Sequence, residues 1–201
     1  MKIYVDNQIS NVNVAWQANA SFQNTWLTNL QANVDSLSAN ISGNSTTKPY
    51  GSYWDNTTTT VANIQLAYIV PIANTFGNLG VSISSTNRIV FPYSGIYKIT
   101  ASLQFLNTDN AQQDITIWLR KNGTDIDNSG SVYTAASKGV GSTPGKLIAV
   151  VPFVEGPVNA NDYYQIVWNA QNTGVSHQGI AAGTNPTRPA SPATMIMVQK
   201  I

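Results

Sequence analysis

The chain has a single histidine, His177, and a catalytic triad would have to be built on it. Its neighbour Ser176 supplies a hydroxyl, the group that a histidine base activates as a nucleophile. Consecutive residues of a strand point to opposite faces, so an adjacent Ser and His are poorly placed for proton transfer. We therefore interpret His177 as a structural residue.

A second candidate for chemistry is the run from Asp125 to Gly130, which has the spacing Asp-x-Asp-x-Ser-Gly. This spacing matches the first half of a calcium-binding loop, in which alternate residues supply oxygen ligands. The closing bidentate acid is missing, because the twelfth position is Ala136. A polar turn after Asn122-Gly123 explains the same residues more simply, so we predict no metal and no other cofactor.

The acidic residues do not form a recognisable catalytic pair, which glycoside hydrolysis would require across a cleft. Glu155 is the only Glu and precedes Gly156-Pro157, where a predicted strand ends. Asp109, Asp114 and Asp162 also fall at predicted strand ends, where acids commonly form turns. The chain contains no Cys, which excludes thiolate nucleophiles, thiolate metal sites and disulfides. We predict that the protein is not an enzyme.

The charge balance argues against several classes of partner. The chain has ten Lys and Arg and nine Asp and Glu, and it has no basic run, so we expect no nucleic-acid partner. No segment approaches the roughly 18 apolar residues of a membrane span, so we expect no membrane partner. Charged residues make up only 9% of the chain, against roughly 25% in ordinary soluble proteins. We expect such a surface to depend on oligomer closure for its solubility.

The elements that position these residues fall into two halves, and the first is a helix predicted from Gln8 to Ile41. Its second half has apolar residues spaced alternately three and four apart, which predicts a seam against partner helices. The seam residues are Leu27, Leu30, Val34, Leu37 and Ile41. Asp35 is the only charge in the segment. Because a lone helix of this kind is marginal in water, we expect other chains to cover it.

Polar residues mark the predicted ends of this helix. Residues 1–7 alternate in polarity, so we predict a short extended arm there. Asn7 or Ser10 can cap the helix by accepting backbone N–H groups. Gly43 suits the left-handed conformation that follows a last turn. A polar connector follows, and we divide the chain into an N-terminal segment, 1–48, and a β domain, 49–201.

In the β domain the apolar period changes to two, which predicts strands. The longest alternating run covers residues 96–105, and another, 115–119, leads into Asn122-Gly123, a strong hairpin signal. Shorter alternating runs are found at 64–68, 81–83, 89–91, 147–154, 164–168 and 195–201. Eight or more such strands predict an all-antiparallel sandwich. Two stretches rich in small residues, 135–145 and 181–192, are predicted surface loops.

Three stretches of this domain carry a family pattern. Residues 88–97 contain Phe-x-x-x-Gly-x-Tyr before the long strand, and residues 118–123 and 161–164 accompany it. Together they resemble the TNF-like, or complement-type, jelly-roll superfamily, and in particular the globular heads of bacteriophage virion proteins. The resemblance covers roughly residues 50–201. It implies an all-β jelly-roll head, a compact homotrimer and binding surfaces rather than an active site.

The resemblance also implies roles for individual residues. Gly95 would permit a bend before the long strand, while Phe91 and Tyr97 would fill the core and the threefold contact. From the residues alone, we interpret Trp118 and Trp168 as interior or interface aromatics.

A separate aromatic cluster lies just before the first predicted strand. Tyr50, Tyr53 and Trp54 could stack on sugar rings or pack against the sheet edge or a neighbouring subunit, and we favour packing.

A trimeric head would supply the helix with the partners it lacks, because a three-stranded bundle tolerates mixed Leu, Ile and Val along its seam. The alternatives are a helix folded onto its own head or laid along another virion protein. We predict that the seam forms a trimeric coiled-coil stalk and that the first half of the helix attaches to the virion. The predicted attachment residues are Ile3, Val5, Trp16, Phe22 and Trp26.

These expectations combine into a structural virion protein, made in the host cytoplasm and located on the surface of the phage particle. We predict a homotrimeric capsid decoration, or cement, protein whose N-terminal segment binds the major capsid protein or another virion protein. The alternative is the tip of a tail or head fibre, with loops 135–145 and 181–192 binding a host surface glycan.

Overall fold

A computed structural model describes residues 2–43 and 48–201, and the chain divides into two compact units, Met1–Thr46 and Thr47–Ile201. The first unit is one long helix, α1, which spans Lys2–Gly43. Among the described residues, no helix combines the length and apolar content that crossing a bilayer requires.

The predicted extended arm over residues 1–7 is wrong, because α1 begins at Lys2 and runs through Asn7 and Ser10. Neither of these residues therefore caps the helix at its start. The alternation that indicated an arm is also compatible with a helix, since Val5 and Ile9 are four residues apart and share one helical face.

The second unit consists of β-strands and one 3-10 turn, Val140–Ser142. The strands are β1 Tyr50–Asp55, β2 Thr59–Thr60, β3 Tyr68–Ile69, β4 Asn74–Leu79, β5 Ser82–Ser84, β6 Arg88–Val90, β7 Gly95–Asn107, β8 Gln113–Lys121, β9 Thr124–Asp125, β10 Ser131–Ala135, β11 Gly145–Val158, β12 Tyr163–Ala170, β13 Val175–His177, β14 Gly183–Thr184, β15 Thr187–Arg188 and β16 Thr194–Lys200. The strand predicted over 64–68 is mostly absent, because only Tyr68 of that run enters a strand, and Ile64 and Leu66 are exposed in the preceding turn.

The strands form two antiparallel seven-stranded sheets and a small hairpin of β14 and β15. In the first sheet, β7 pairs with β11 along one side. Along its other side it pairs with two strands one after the other, β16 and β13. Strands β1 and β2 lie beyond these, and β4 forms the far edge. The second sheet has the order β10-β8-β12-β6-β5. The predicted all-β jelly-roll sandwich with an N-terminal helix is confirmed.

The core lies between the sheets and is lined by the inward side chains of β7, β8 and β12. Phe91, Tyr97 and Trp168 are fully buried there. The Phe91 ring meets Tyr97 edge-on at 4.5 Å and Tyr164 at 5.3 Å between ring centroids. Such edge-to-face pairs add stabilisation to the burial of apolar area.

Trp118 does not belong to this core. It is half-buried on the outward face of β8, because it alternates with Ile117 and Leu119, which are completely buried. A strand residue whose two neighbours in sequence point inward must itself point outward, since successive side chains point to opposite faces. Of the two interpretations of Trp118, interior or interface, the interior one is therefore wrong, and the interface one stays a prediction.

Three residues with positive φ shape the chain around the core. Asn122 (φ 49°) and Gly123 (φ 88°) turn β8 into β9, as the Asn-Gly dipeptide predicts for a type I′ hairpin. Gly95 begins β7 with φ 153°, and a Cβ at this position would lie 2.5 Å from Lys200 Cε. Glycine is needed there for the backbone angle, whereas the flexible end of the Lys200 side chain could move aside.

Candidate interaction surfaces

His177 lies on β13 in the interior of the second unit and is fully buried. Its Nε2 is 3.1 Å from both the Ala193 carbonyl oxygen and the Thr194 hydroxyl. Its Nδ1 has no hydrogen-bond partner among the described residues. Burial lowers the pKa of His177 to about 4. The imidazole is therefore neutral near pH 7 and has no exposed surface to offer a substrate.

The run from Asp125 to Gly130 is occupied by contacts within the chain. Arg120 donates from Nε to Asp125 Oδ1 at 2.7 Å, and this bond holds the pKa of Asp125 below its usual range. Ser129 Oγ donates to the Ile126 carbonyl and accepts from the Leu119 N–H. Among the described residues, no group of three or more His, Cys, Asp or Glu could hold a metal ion. The geometry is that of a polar turn.

Asp162 joins two turns at one end of the sandwich. Its carboxylate accepts from Lys121 Nζ at 2.9 Å, from Asn122 Nδ2 at 2.7 Å and from the Asn159 N–H at 2.8 Å. These donors lower the pKa of Asp162 to about 2. Glu155 lies on β11 opposite Tyr97, and burial raises its pKa. Through these hydrogen bonds, Asp162 connects the end of β8 to the turn before β12.

The outward side of the first sheet is an exposed apolar surface, which we call the apolar face. It consists of Ile148, Val150, Pro152, Val154, Met195 and Met197. These side chains come from β11 and β16, with the small residues Thr100 and Ser102 of β7 between them. Ile148 is 60% exposed and Met197 is 58% exposed. Contiguous apolar surfaces of this kind are typical of sites that bind another macromolecule.

The apolar face continues to the far edge of the same sheet. Trp54 of β1 contacts Phe76 of β4 with 5.9 Å between ring centroids, and Phe76 is 67% exposed. Tyr50 pairs with Leu79, and both are exposed. Tyr53 differs from its neighbours, because it is buried and donates its hydroxyl to the Val81 carbonyl at 2.8 Å. Of the three aromatics considered for sugar stacking, Tyr53 is therefore a core residue.

The outward side of the second sheet has a different chemistry. Thr134 donates to Asp114 at 2.7 Å, Arg120 pairs with Asp125, and the Arg88 guanidinium lies 4.1 Å from the centre of the Tyr163 ring. Thr134 with Asp114 and Arg120 with Asp125 are thus paired within the chain, whereas the buried Arg88 Nε has no hydrogen-bond partner among the described residues. The two faces of the sandwich therefore differ: the second sheet mixes paired polar groups with the isolated apolar residues Trp118 and Val132, whereas the first sheet exposes a group of six apolar residues.

The sequence of β11 indicates the apolar face, because its apolar residues do not simply alternate with polar ones. From Leu147 to Val154, apolar residues occupy inward and outward positions alike. A strand that is apolar on both sides is typical of burial on both faces. The inward set of this run is Leu147, Ala149, Val151 and Phe153.

The predicted stalk residues lie on α1 with their side chains exposed in the single chain. Leu27, Leu30, Val34 and Leu37 are between 44% and 59% exposed. The side chain of Ile41 lies outside the described part of the structure, as does that of Ile3. The other predicted attachment residues are also exposed, and these are Val5, Trp16, Phe22 and Trp26.

The first half of α1 carries a second apolar stripe, which the sequence argument missed. Val5, Ile9, Val12 and Trp16 are spaced four, three and four residues apart, and Tyr4, Val5, Ile9 and Val12 border one groove on the helix surface. The step from Trp16 to Ala20 adds another four, which interrupts the heptad pattern and shifts the stripe around the helix. If the later seam is extended backwards in strict heptads, it passes through Asn13 instead of Val12, and the stripe is therefore not recognised.

Comparison with known proteins gives a likeness in fold. No family model matches the chain, and no curated protein matches it. Among solved structures, the chain is similar to the Eiger TNF from S. frugiperda, with a TM-score of 0.46 and 9% sequence identity. That likeness covers 77% of this chain and 92% of the Eiger chain. The phage origin implied by the sequence resemblance stays a prediction.

Proposed function

We propose that the protein is a non-enzymatic structural subunit that assembles as a homotrimer through the apolar face, with three copies of α1 forming a stalk. The observation that carries this proposal is the difference between the two sides of the sandwich. One side carries the pairs Thr134 with Asp114 and Arg120 with Asp125, whereas the other exposes Ile148, Val150, Met195 and Met197. A partner that covers this side removes these apolar side chains from water, and the hydrophobic effect then stabilises the assembly.

The size of this gain favours assembly. Burying a Val, Ile or Met side chain completely contributes roughly 1.5–3 kcal/mol. The apolar face offers five such residues and Pro152, and Trp54 and Phe76 extend it. An exposed ion pair contributes only about 0–1 kcal/mol. The energy of association is therefore concentrated in the first sheet and not in the charges of the second.

The helix supports self-assembly by an independent argument. A helix of 42 residues with charges only at Lys2, Asp6 and Asp35 has few polar contacts of its own. Gln31 donates to Asp35 at 2.7 Å, and Thr25 and Thr28 bond back to the helix backbone. The exposed Leu27-to-Leu37 seam therefore needs partner helices, and identical chains supply an identical seam.

We further propose that the first half of α1 attaches the trimer to a larger particle, as in a virion decoration protein. Trp16 is 74% exposed and Phe22 is 72% exposed, and both precede the seam. Large aromatic side chains of this kind commonly dominate the energy of protein interfaces. The virion as the particle, and a capsid protein as the partner, follow from the family resemblance of residues 50–201.

The glycan-binding alternative is supported less well by the loops that it requires. Neither loop 135–145 nor loop 181–192 contains Phe, Tyr or Trp. Aromatic faces are the usual platforms for ring stacking. Purified protein should therefore fail to compete with the phage for adsorption to host cells, whereas effective competition would favour the fibre-tip function.

The attachment role is tested by adding purified protein to particles that lack it and measuring the bound mass by co-sedimentation. The full chain should bind at a saturating, defined stoichiometry, and a variant lacking residues 1–44 should not. Met195→Asp in the full chain is the matched comparison, because this substitution changes the apolar face and leaves the sequence of α1 unaltered. Decoration by the variant lacking residues 1–44 would contradict the attachment role.

A further inference from the structure

Residues 178–193 form an excursion from the first sheet, which we call the arm. Strands β13 and β16 lie in line beside β7, with His177 opposite Phe105 and Thr194 opposite Leu103. Only Gln104 lies between these two pairs on β7. Its backbone bonds to both ends of the arm, since Gln178 N–H donates to its carbonyl at 3.0 Å and its N–H donates to Ala193 O at 2.9 Å. Sixteen residues thus leave and rejoin the sheet at a single position.

The root of the arm is held firmly on the outward side of the sheet. Gln104 points outward, opposite to the buried Leu103 and Phe105. Its Nε2 donates to the Pro192 carbonyl at 2.6 Å, and its residue is only 6% exposed. Ile180 and Ser191 exchange two backbone hydrogen bonds of 2.9 and 2.8 Å. The arm therefore emerges from the side of the sheet that carries the apolar face.

The root also adjoins the apolar face directly. On the other side of β7, the residue opposite Gln104 is Ile148, the first residue of that face. Any copy of the chain that covers Ile148 must therefore pass close to the root of the arm. The arm and the apolar face form one continuous outward surface.

The outer part of the arm has little to hold it in a single chain. Strands β14 and β15 have two residues each, and residues 181–190 are exposed apart from the half-buried Gly183. Arg188 folds back and donates to the Ala181 carbonyl at 3.1 Å. An isolated two-stranded hairpin is at best marginally stable in water. The arm has no aromatic residue and one charged residue, so its chemistry suits a neutral protein surface.

We propose that the arm of each chain lies across a second copy of the same chain and locks the assembly formed by the apolar face. This inference rests on the proposed trimer. The second copy is the occupant because the root of the arm is continuous with the apolar face and because both are apolar or neutral over most of their length. The charges are Arg188 in the arm and, at the margins of the face, Lys98 opposite Val154 and Lys146 before Ile148. Residues 181–192 are then an assembly element and not a receptor-binding loop.

Hydrogen exchange followed by mass spectrometry tests the proposal in the full-length protein. Wild-type trimer is compared with Met197→Asp, whose monomeric state and retained fold are checked by sedimentation and circular dichroism. Backbone amides of residues 181–190 should exchange at least about tenfold more slowly in the trimer, which corresponds to about 1.4 kcal/mol of protection. If Met197→Asp does not fold, Ile148→Asp takes its place.

A second variant separates the arm from the trimer itself. Replacing residues 181–190 by a short Asn-Gly turn should raise the concentration at which the trimer dissociates by about tenfold. Shortening loop 137–143 is the control and should leave that concentration unchanged. Equal exchange rates in trimer and monomer, with an unchanged dissociation concentration, would overturn the arm proposal while leaving the trimer intact. A wild-type protein that is monomeric would instead overturn the proposed function.

Discussion

Val150 and Met195 lie opposite the same residue, Ser102, from the two strands that border β7. Both are about half exposed, and the small serine between them leaves both side chains accessible from the outward side. Pro152 and Met197 repeat this arrangement around Thr100. The first sheet thus presents two rows of apolar side chains separated by small residues, which is a surface suited to close packing against another chain.

Met197→Asp should dissociate the assembly while leaving the head folded. Association would bury an unpaired carboxylate, at a cost of about 3 kcal/mol or more, and should raise the dissociation constant more than a hundredfold. Analytical ultracentrifugation over a concentration series measures this effect. Val132→Asp is the matched control, because Val132 is 64% exposed but lies on β10 of the second sheet. An equal effect of the two substitutions would show that the apolar face has no special role.

Leu30→Ser together with Val34→Ser should reduce the helical signal of the full chain. The intrinsic helix propensity lost is small, about 0.5 kcal/mol per residue, whereas loss of the seam removes the packing that stabilises α1. Circular dichroism at 222 nm during heating provides the measurement. The control changes Asn29 and Asn33 to Ser, since these residues have the same spacing on a neighbouring helical face. If both pairs melt alike, the seam is not packed against other helices.

Trp16→Ala with Phe22→Ala should impair incorporation into the particle without dissolving the trimer. Both side chains lie away from the Leu27-to-Leu37 seam and are more than 70% exposed. Interface aromatics of this kind commonly cost about 2 kcal/mol or more each when truncated. Particle-bound protein is quantified by gel densitometry, and sedimentation of the free variant reports its oligomeric state. A variant that decorates particles normally would remove these residues from the attachment surface.

Stability should fall as the pH drops from 6.5 to 4 because of His177. Burial lowers the pKa of this residue from 6.5 to about 4, and the hydrogen bond to the Ala193 carbonyl and the charge of Asp55 oppose the shift. Between these values the unfolded chain binds a proton that the folded chain does not, so unfolding becomes more favourable as the pH falls. The effect amounts to about 3 kcal/mol at most. Urea titrations of the wild type and His177→Gln across this range should show a shallower pH dependence for the variant.

Gly145→Ala should destabilise the head by about 3 kcal/mol, because overpacked sites force backbone shifts. A Cβ at Gly145, the first residue of β11, would overlap the carbonyl group of Ala136. Gly77→Ala is the control, since a Cβ there meets nothing within 4 Å. The midpoints of urea unfolding should differ clearly between the two variants. Equal midpoints would contradict the described path of the chain between β10 and β11.

Much of the sandwich can be predicted from the sequence because its strands have one buried side. The run from Tyr97 to Phe105 alternates strictly, and β7 follows it, while Asn122-Gly123 forms a turn that few other residues adopt. In such strands the pattern of side chains directly reflects burial. Local rules and tertiary packing agree at these positions.

The remaining features depend on contacts that the sequence pattern does not encode. Trp118 is an exception, because the alternation with the buried Ile117 and Leu119 does encode its outward side and the apolar composition of its neighbours was misleading. The hairpin inside the arm lacks an apolar period, since its two-residue strands are joined by backbone pairing and bury no apolar side chain. The start of α1 was missed because apolar spacing in Lys2 to Asp6 fits both a strand and a helix.

The central claim is that identical chains cover the apolar face of the first sheet. Sedimentation equilibrium of the full-length protein at micromolar concentration tests it most directly, because the method reports mass without reference to shape. The account predicts a species of three times the 21.6 kDa chain mass. A homogeneous species of 21.6 kDa under the same conditions would contradict it.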